Sequence, residues 1–227
     1  MDATTRPPLR SFKPRRRRLG TEAQTAYSSA ADGRRLPEDG PPIDLVEVFG
    51  RVAPVVVEIG FGGGEALLEL AGAQPERDVI GIDVHVPGIA RVLREVDERG
   101  LGNVRVVEGD AMVFLDRLPV ACLSEVRIFF PDPWPKARQQ KRRIIRPDHV
   151  ATFVERMAVG AELHLATDWA DYAEHMVEVC GAEPRLAGGI VPRPGWRPLT
   201  RYEQRGLDQG REPHDLRYVR VEVGPSA

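Results

Sequence analysis

Cysteine is nearly absent from this chain of 227 residues. Cys122 and Cys180 are its only two, and they stand far apart, with no C-x-x-C and no histidine at ligand spacing. That leaves no basis for a disulfide framework or a zinc site, and predicts no metal and two small thiols in a reducing, cytoplasmic setting. Long apolar runs are missing too. No stretch approaches the roughly 18 residues of a membrane span, and the N-terminus carries charge without the apolar stretch of a secretory signal, so no membrane partner is expected. Pro7, Pro8 and Pro14 oppose the amphipathic helix of an organellar transit peptide. Charge of one sign is also lacking: 32 Lys and Arg face 34 Asp and Glu, for a net charge of −2. Any attraction to a polyanion must therefore come from local patches.

Such patches exist. Residues 1–42 hold Arg15-Arg16-Arg17-Arg18 among prolines, glycines and few large apolar groups. They read as a flexible basic arm that cannot bury enough apolar surface to order itself. It is either a hook for phosphate or a solvated tail. Residues 43–227 carry the alternating strand and helix signals of a single α/β domain.

That domain is organised around Val55 to Leu70, V-V-V-E-I-G-F-G-G-G-E-A-L-L-E-L. A β-prone run enters a glycine cluster and switches to helical spacing, which predicts strand, tight turn and helix. Gly60, Gly62 and Gly64 let the backbone turn sharply and a ligand approach closely. A dinucleotide loop of the G-x-G-x-x-G kind places glycine or alanine where Glu65 stands. Glu58, two residues before the first glycine, repels a pyrophosphate and attracts a cation. The loop thus suits a positively charged nucleoside such as S-adenosylmethionine, and a nicotinamide-linked oxidoreductase is disfavoured. Two more strands end in acids, Asp78 to Asp83 and Asn103 to Asp110. Asp83 falls where an α/β nucleotide fold puts the acid that takes the ribose hydroxyls, and in an open parallel sheet all these ends share one edge. Asp110 is equally suited to capping the next helix.

A fourth strand runs into Phe129-Phe-Pro-Asp-Pro-Trp-Pro-Lys136-Ala-Arg-Gln-Gln-Lys-Arg-Arg143. Its prolines stiffen the loop and hold Asp132 in place. The following run is basic without an acid, and suits an RNA base gripped by its edge with phosphates pinned by cations; a solvated surface run is the bland alternative. A fifth strand, Ala161 to Thr167, ends in Asp168, with His164 expected as a satisfied strand residue and Trp169 as core. Gly188 to Pro198 reads as a connector, Thr200-Arg-Tyr-Glu as the start of a polar helix, and Leu216 to Val223 as a strand near the sheet edge.

The motifs V-E-I-G-F-G-G-G-E, G-I-D-V-H, G-D-A, F-F-P-D-P-W-P-K-A-R-Q-Q-K-R-R, T-D-W and T-R-Y-E, in this order from Val56 to Glu203, resemble those of the bacterial tRNA (guanine-N7-)-methyltransferases. The resemblance implies a Rossmann-like class I methyltransferase fold, with a mostly parallel seven-stranded sheet and helices on both faces. It implies S-adenosylmethionine as cofactor, tRNA as partner, and N7 of a guanine in the variable loop as the methyl acceptor. Glu58, Asp83, Asp110 and Asp132 then fall at cofactor positions, with Asp132 also the catalytic one. Lys136, Asp168, Thr200, Arg201, Tyr202 and Glu203 fall at substrate positions, and Arg138, Gln139, Gln140, Lys141, Arg142 and Arg143 at the RNA contact. Pro135 and Gln139 depart from histidines in the family loop, and Asp83 from a frequent glutamate. Guanine N7 carries an in-plane lone pair and no proton, so positioning should dominate catalysis, with Asp132 and Asp168 accepting from guanine N1-H and N2-H. Two other readings stay open: a methyltransferase of another substrate, and an RNA-binding subunit without activity.

Overall fold

The computed structural model describes residues 27–28 and 33–223. The arginines at 15–18 lie outside them. Eight strands form one sheet in the order β1-β4-β3-β2-β5-β6-β8-β7. The strands are β1 (Arg35–Leu36), β2 (Val55–Ile59), β3 (Asp78–Asp83), β4 (Val104–Glu108), β5 (Leu123–Phe129), β6 (Met157–Thr167), β7 (Leu186–Val191) and β8 (His214–Arg220). β8 runs antiparallel to β6 and β7, and every other pairing is parallel. The helices are α1 (Leu45–Phe49), α2 (Glu65–Ala73), α3 (Val86–Glu98), α4 (Ala111–Leu115), α5 (Pro147–Arg156), α6 (Ala170–Gly181) and α7 (Arg201–Asp208).

Alternation along β2 divides the core. Val55, Val57 and Ile59 pack with residues of α4, α5 and α6 on one face, while Val56 packs with α2 and α3 on the other. The period of two sends alternate side chains to opposite faces, so a strand buried along its whole length needs helices on both. Asp44 caps α1, accepting from the Val46 and Glu47 amides.

Three expectations need correcting. The sheet has eight described strands rather than seven, because β1, inside the segment read as an arm, pairs with Val106 and Val107 of β4. β7 occupies part of the stretch read as a connector. There Gly188 lies so close to β8 that a Cβ would meet the Arg217 carbonyl at 2.0 Å, so the glycine that looked like a breaker is what the ladder demands. β8 lies near the edge as expected, one strand in from it. β6 begins at Met157 rather than Ala161, directly after α5.

Candidate functional site

The parallel strands end on one edge, and a cleft of about 350 Å³ opens there. The glycine loop forms its floor. Gly60, Gly62 and Gly64 all have positive φ, 74°, 56° and 79°, the region that L side chains rarely adopt. Gly60 and Gly62 line the cleft. Gly64 does not; a Cβ there would meet Val92 Cγ2 of α3 at 2.2 Å, so its smallness serves helix packing. α3 also closes on the loop from the other side, since a Cβ on Gly88 would sit 1.9 Å from the Gly62 carbonyl oxygen. Backbone cannot yield as a flexible side chain can. Gly88→Ala is expected to cost about 1–3 kcal/mol and to displace the loop, lowering both the melting temperature and ligand affinity in the cleft. Wild-type values for both in calorimetry would rule the contact out.

Asp83 fastens the loop to β3. Its Oδ2 accepts from the Gly62 amide at 2.7 Å, and Oδ1 accepts from the Val84 and His85 amides at 2.6 and 2.8 Å. Burial raises its pKa, and those three amides offset part of the rise. Glu58 has no such relief. It is 3 % exposed, and its Oε2 has no hydrogen-bond partner. Burial pushes its pKa up to about 8, against the pull of Arg127 and with the push of Glu125, Asp83 and Glu65. A buried, orphaned carboxylate oxygen in a cleft wall is a seat for a cation. Glu65, also in the wall, is held by Arg91 at 2.8 Å.

Asp132 reaches the opposite side of the same cleft, with Phe130 and Pro131. Its turn is strained: Phe130 and Trp134, on either side of it, have φ of 51° and 44°, each costing on the order of 1 kcal/mol or more. Thr200 and Tyr202 also line the cleft. Thr200 caps α7 by accepting from the Glu203 amide at 3.2 Å, while Tyr202 is 57 % exposed and its ring lies 3.4 Å from where a Gly62 Cβ would stand.

Other expected site residues lie outside the cleft lining. Asp110 caps α4, its carboxylate accepting from the Met112 amide, although its neighbours Gly109 and Ala111 line the cleft. Asp168 accepts from Arg211 at 2.7 Å and packs against Gly206 of α7. Glu203 is buried, both oxygens held by Arg197 and Arg193. Lys136, Arg138, Lys141 and Arg201 are exposed, and Gln139 and Gln140 half-buried. Arg142 lays its guanidinium 4.3 Å from the Trp134 ring centroid. Arg143 is turned inward rather than presented as a surface cation.

Sequence reasoning missed what supports this rim. The row Glu58, Arg127, His164, Arg217 runs in register across β2, β5, β6 and β8. Charge alternating with apolar residues reads as a solvent face, yet Trp196 covers Arg127 and His164, at 4.5 and 5.5 Å. Arg197 beside it binds Glu203 at 2.7 and 2.8 Å and Asp215 at 3.0 and 2.9 Å, and Asp215 also accepts from His164 Nε2 at 2.9 Å. Glu125, Glu162 and His164 come within 4.8 Å of one another, but Arg77 and Arg127 hold Glu125 and Arg217 holds Glu162. The distant partners in sequence left no local signal for any of this.

A parallel sheet with a glycine loop after its central strand, an acid at the next strand end and a cleft along the carboxyl edge defines an α/β methyltransferase. A family model described as methyltransferase matches residues 52–216. The chain is 48% identical over 227 aligned residues to the tRNA (guanine-N(7)-)-methyltransferase of Alkalilimnicola ehrlichii, covering 97% of this chain and 96% of the relative. It belongs to the tRNA (guanine-N(7)-)-methyltransferase family. Among solved structures, the 16S rRNA methyltransferase KamB shares the fold at a TM-score of 0.55 and 16% identity, over 81% of this chain and 96% of that one. A Streptococcus mutans methyltransferase in complex with SAH does so at a TM-score of 0.51 and 12% identity, over 80% and 99%.

Proposed function

We propose that the chain binds S-adenosylmethionine at the Glu58 and Asp83 side of the cleft and a tRNA guanine at the Asp132 side, and that N7 of the guanine takes the methyl group. The observation that carries this is the unpartnered Glu58 carboxylate oxygen in the same 350 Å³ cleft as Asp132. An α-ammonium group supplies the charge that Glu58 lacks, and Asp83 suits ribose hydroxyls. The cofactor, when bound, supplies an electrophilic methyl group. Because N7 already presents a lone pair, no side chain has to remove a proton first. Asp132, on a turn stiffened by prolines, accepts from the guanine edge and favours the positive charge that develops on the ring. Tyr202 and Thr200 bound the space for the base. Lys136, Arg138, Lys141 and the arginines at 15–18 are assigned to phosphate, and the setting is cytoplasmic. No helix among the described residues is long and apolar enough to cross a membrane.

Mapping the modified nucleotide after incubation with tRNA and cofactor tests the reading, with N7-methylguanosine in the variable loop as the expected product. Methyl incorporation elsewhere would favour another substrate, and absence of cofactor binding a subunit without activity. tRNA affinity should fall steeply with salt as bound counterions are released. Asp132→Ala should lower kcat about 100-fold with cofactor affinity kept; full turnover would refute the positioning role.

A further inference from the structure

The basic run after the Pro-Asp-Pro-Trp turn is not one patch. Ala137–Arg142 form a short 3-10 helix, and its curvature sends the cations two ways. Lys136, Arg138 and Lys141 face solvent. Arg143, at the end of the turn, is 2 % exposed. Its Nε donates to the Pro133 carbonyl at 3.0 Å and its Nη2 to Asp171 at 2.6 Å, with the guanidinium 4.6 Å from the Tyr172 ring centroid. Tyr172 is itself fully buried and accepts from the Ile145 amide.

We propose that Arg143 is a positioning residue: it staples the carbonyl that follows Asp132 to helix α6, and so fixes where the Asp132 carboxylate stands in the cleft. This rests on the role given to Asp132 above. The turn needs such a brace. Phe130 and Trp134 both hold left-handed backbone without being glycine, a conformation that persists only where the surroundings enforce it. At the near end the Phe130 amide donates to the Ala166 carbonyl at 2.7 Å. At the far end Arg142 stacks on buried Trp134. Arg143 acts between them, on the carbonyl directly after Asp132. A guanidinium already engaged by a carbonyl, a carboxylate and an aromatic face has little left to offer a phosphate.

Asp171 is about half exposed, so losing Arg143 strands no buried charge and the fold should survive. Arg143→Met and Asp171→Asn break the same link from its two ends, and only the first removes a cation. A brace predicts that both lower kcat, Arg143→Met by about 10- to 100-fold and Asp171→Asn by a smaller factor. Cofactor affinity, tRNA affinity and the slope of tRNA binding against salt should stay at wild-type values, and Arg143→Lys should recover part of the rate. A phosphate contact predicts the reverse: Arg143→Met flattens the salt slope by about one charge at unchanged kcat, and Asp171→Asn leaves turnover intact. Either result overturns the proposal. Asp132→Ala assayed beside them separates the two levels: if it retains turnover, the reading of Asp132 has failed, whereas its loss with Arg143→Met unimpaired sinks the brace alone.

Discussion

Glu58→Gln should melt at a higher temperature than the wild type at pH 8 while losing cofactor affinity. Burial keeps the proton on Glu58 up to about pH 8 in the folded protein, whereas an exposed glutamate gives it up near 4.5. Between those values the unfolded chain is the more deprotonated state, so stability falls as pH rises through this window. At 1.36 kcal/mol per unit, the full shift amounts to about 3–5 kcal/mol. Glutamine cannot ionise and escapes that cost, which for a chain of this size corresponds to on the order of 10 °C. Near pH 4.5 and below both side chains are neutral and the two melting curves should converge. A cation in the cleft favours the ionised carboxylate, so binding to the wild type near pH 7 should release close to one proton, visible in calorimetry as a dependence on buffer ionisation heat. Without that charge the variant should bind about 10- to 100-fold more weakly. Melting differences that are equal at pH 5 and pH 8 would show that Glu58 is not held neutral.

Arg197→Met is expected to be among the most destabilising single changes in the chain. Arg197 is 1 % exposed, and four hydrogen bonds tie it to Glu203 on α7 and Asp215 on β8. Its removal leaves two buried carboxylates with one partner each, Arg193 and His164. Breaking a buried pair in this way costs about 3–5 kcal/mol, far more than the intact pair contributes over an apolar replacement. The exposed pair of Arg217 and Glu162 makes the comparison: Arg217→Met should cost less than about 1 kcal/mol. Urea unfolding of both variants measures the difference, and equal losses would mean that burial at Arg197 confers nothing. The same clamp docks α7, so Arg197→Met protein that remains folded should also lose turnover through a displaced Tyr202.

Elements that announce themselves over a few residues were legible in the sequence. The Val55–Ile59 run, the alternating glycines and the proline-bounded turn at Asp132 are local chemistry, and Glu58, Asp83 and Asp132 do line one cleft. Where meaning depends on what lies across the fold, it was not. Arg142 and Arg143 follow Lys141 in sequence and look like more of the same charge, yet α6 supplies Asp171 and Tyr172 to draw Arg143 inward. Arg127 looks like an outward face, yet Trp196, some seventy residues later, covers it. Gly188 and Gly189 look like loop, because the requirement for glycine at 188 is set by the backbone of β8. Asp110 left two roles open; its cap on α4 is visible.

Strand β1 ties the N-terminal segment to the rim where the cleft opens, and Glu38 extends the tie by accepting from the Asp110 amide. Tyr27 adds a second tie, donating to Glu108 at the end of β4. A nucleic acid held by any part of that segment would therefore be kept at high effective concentration beside the cleft.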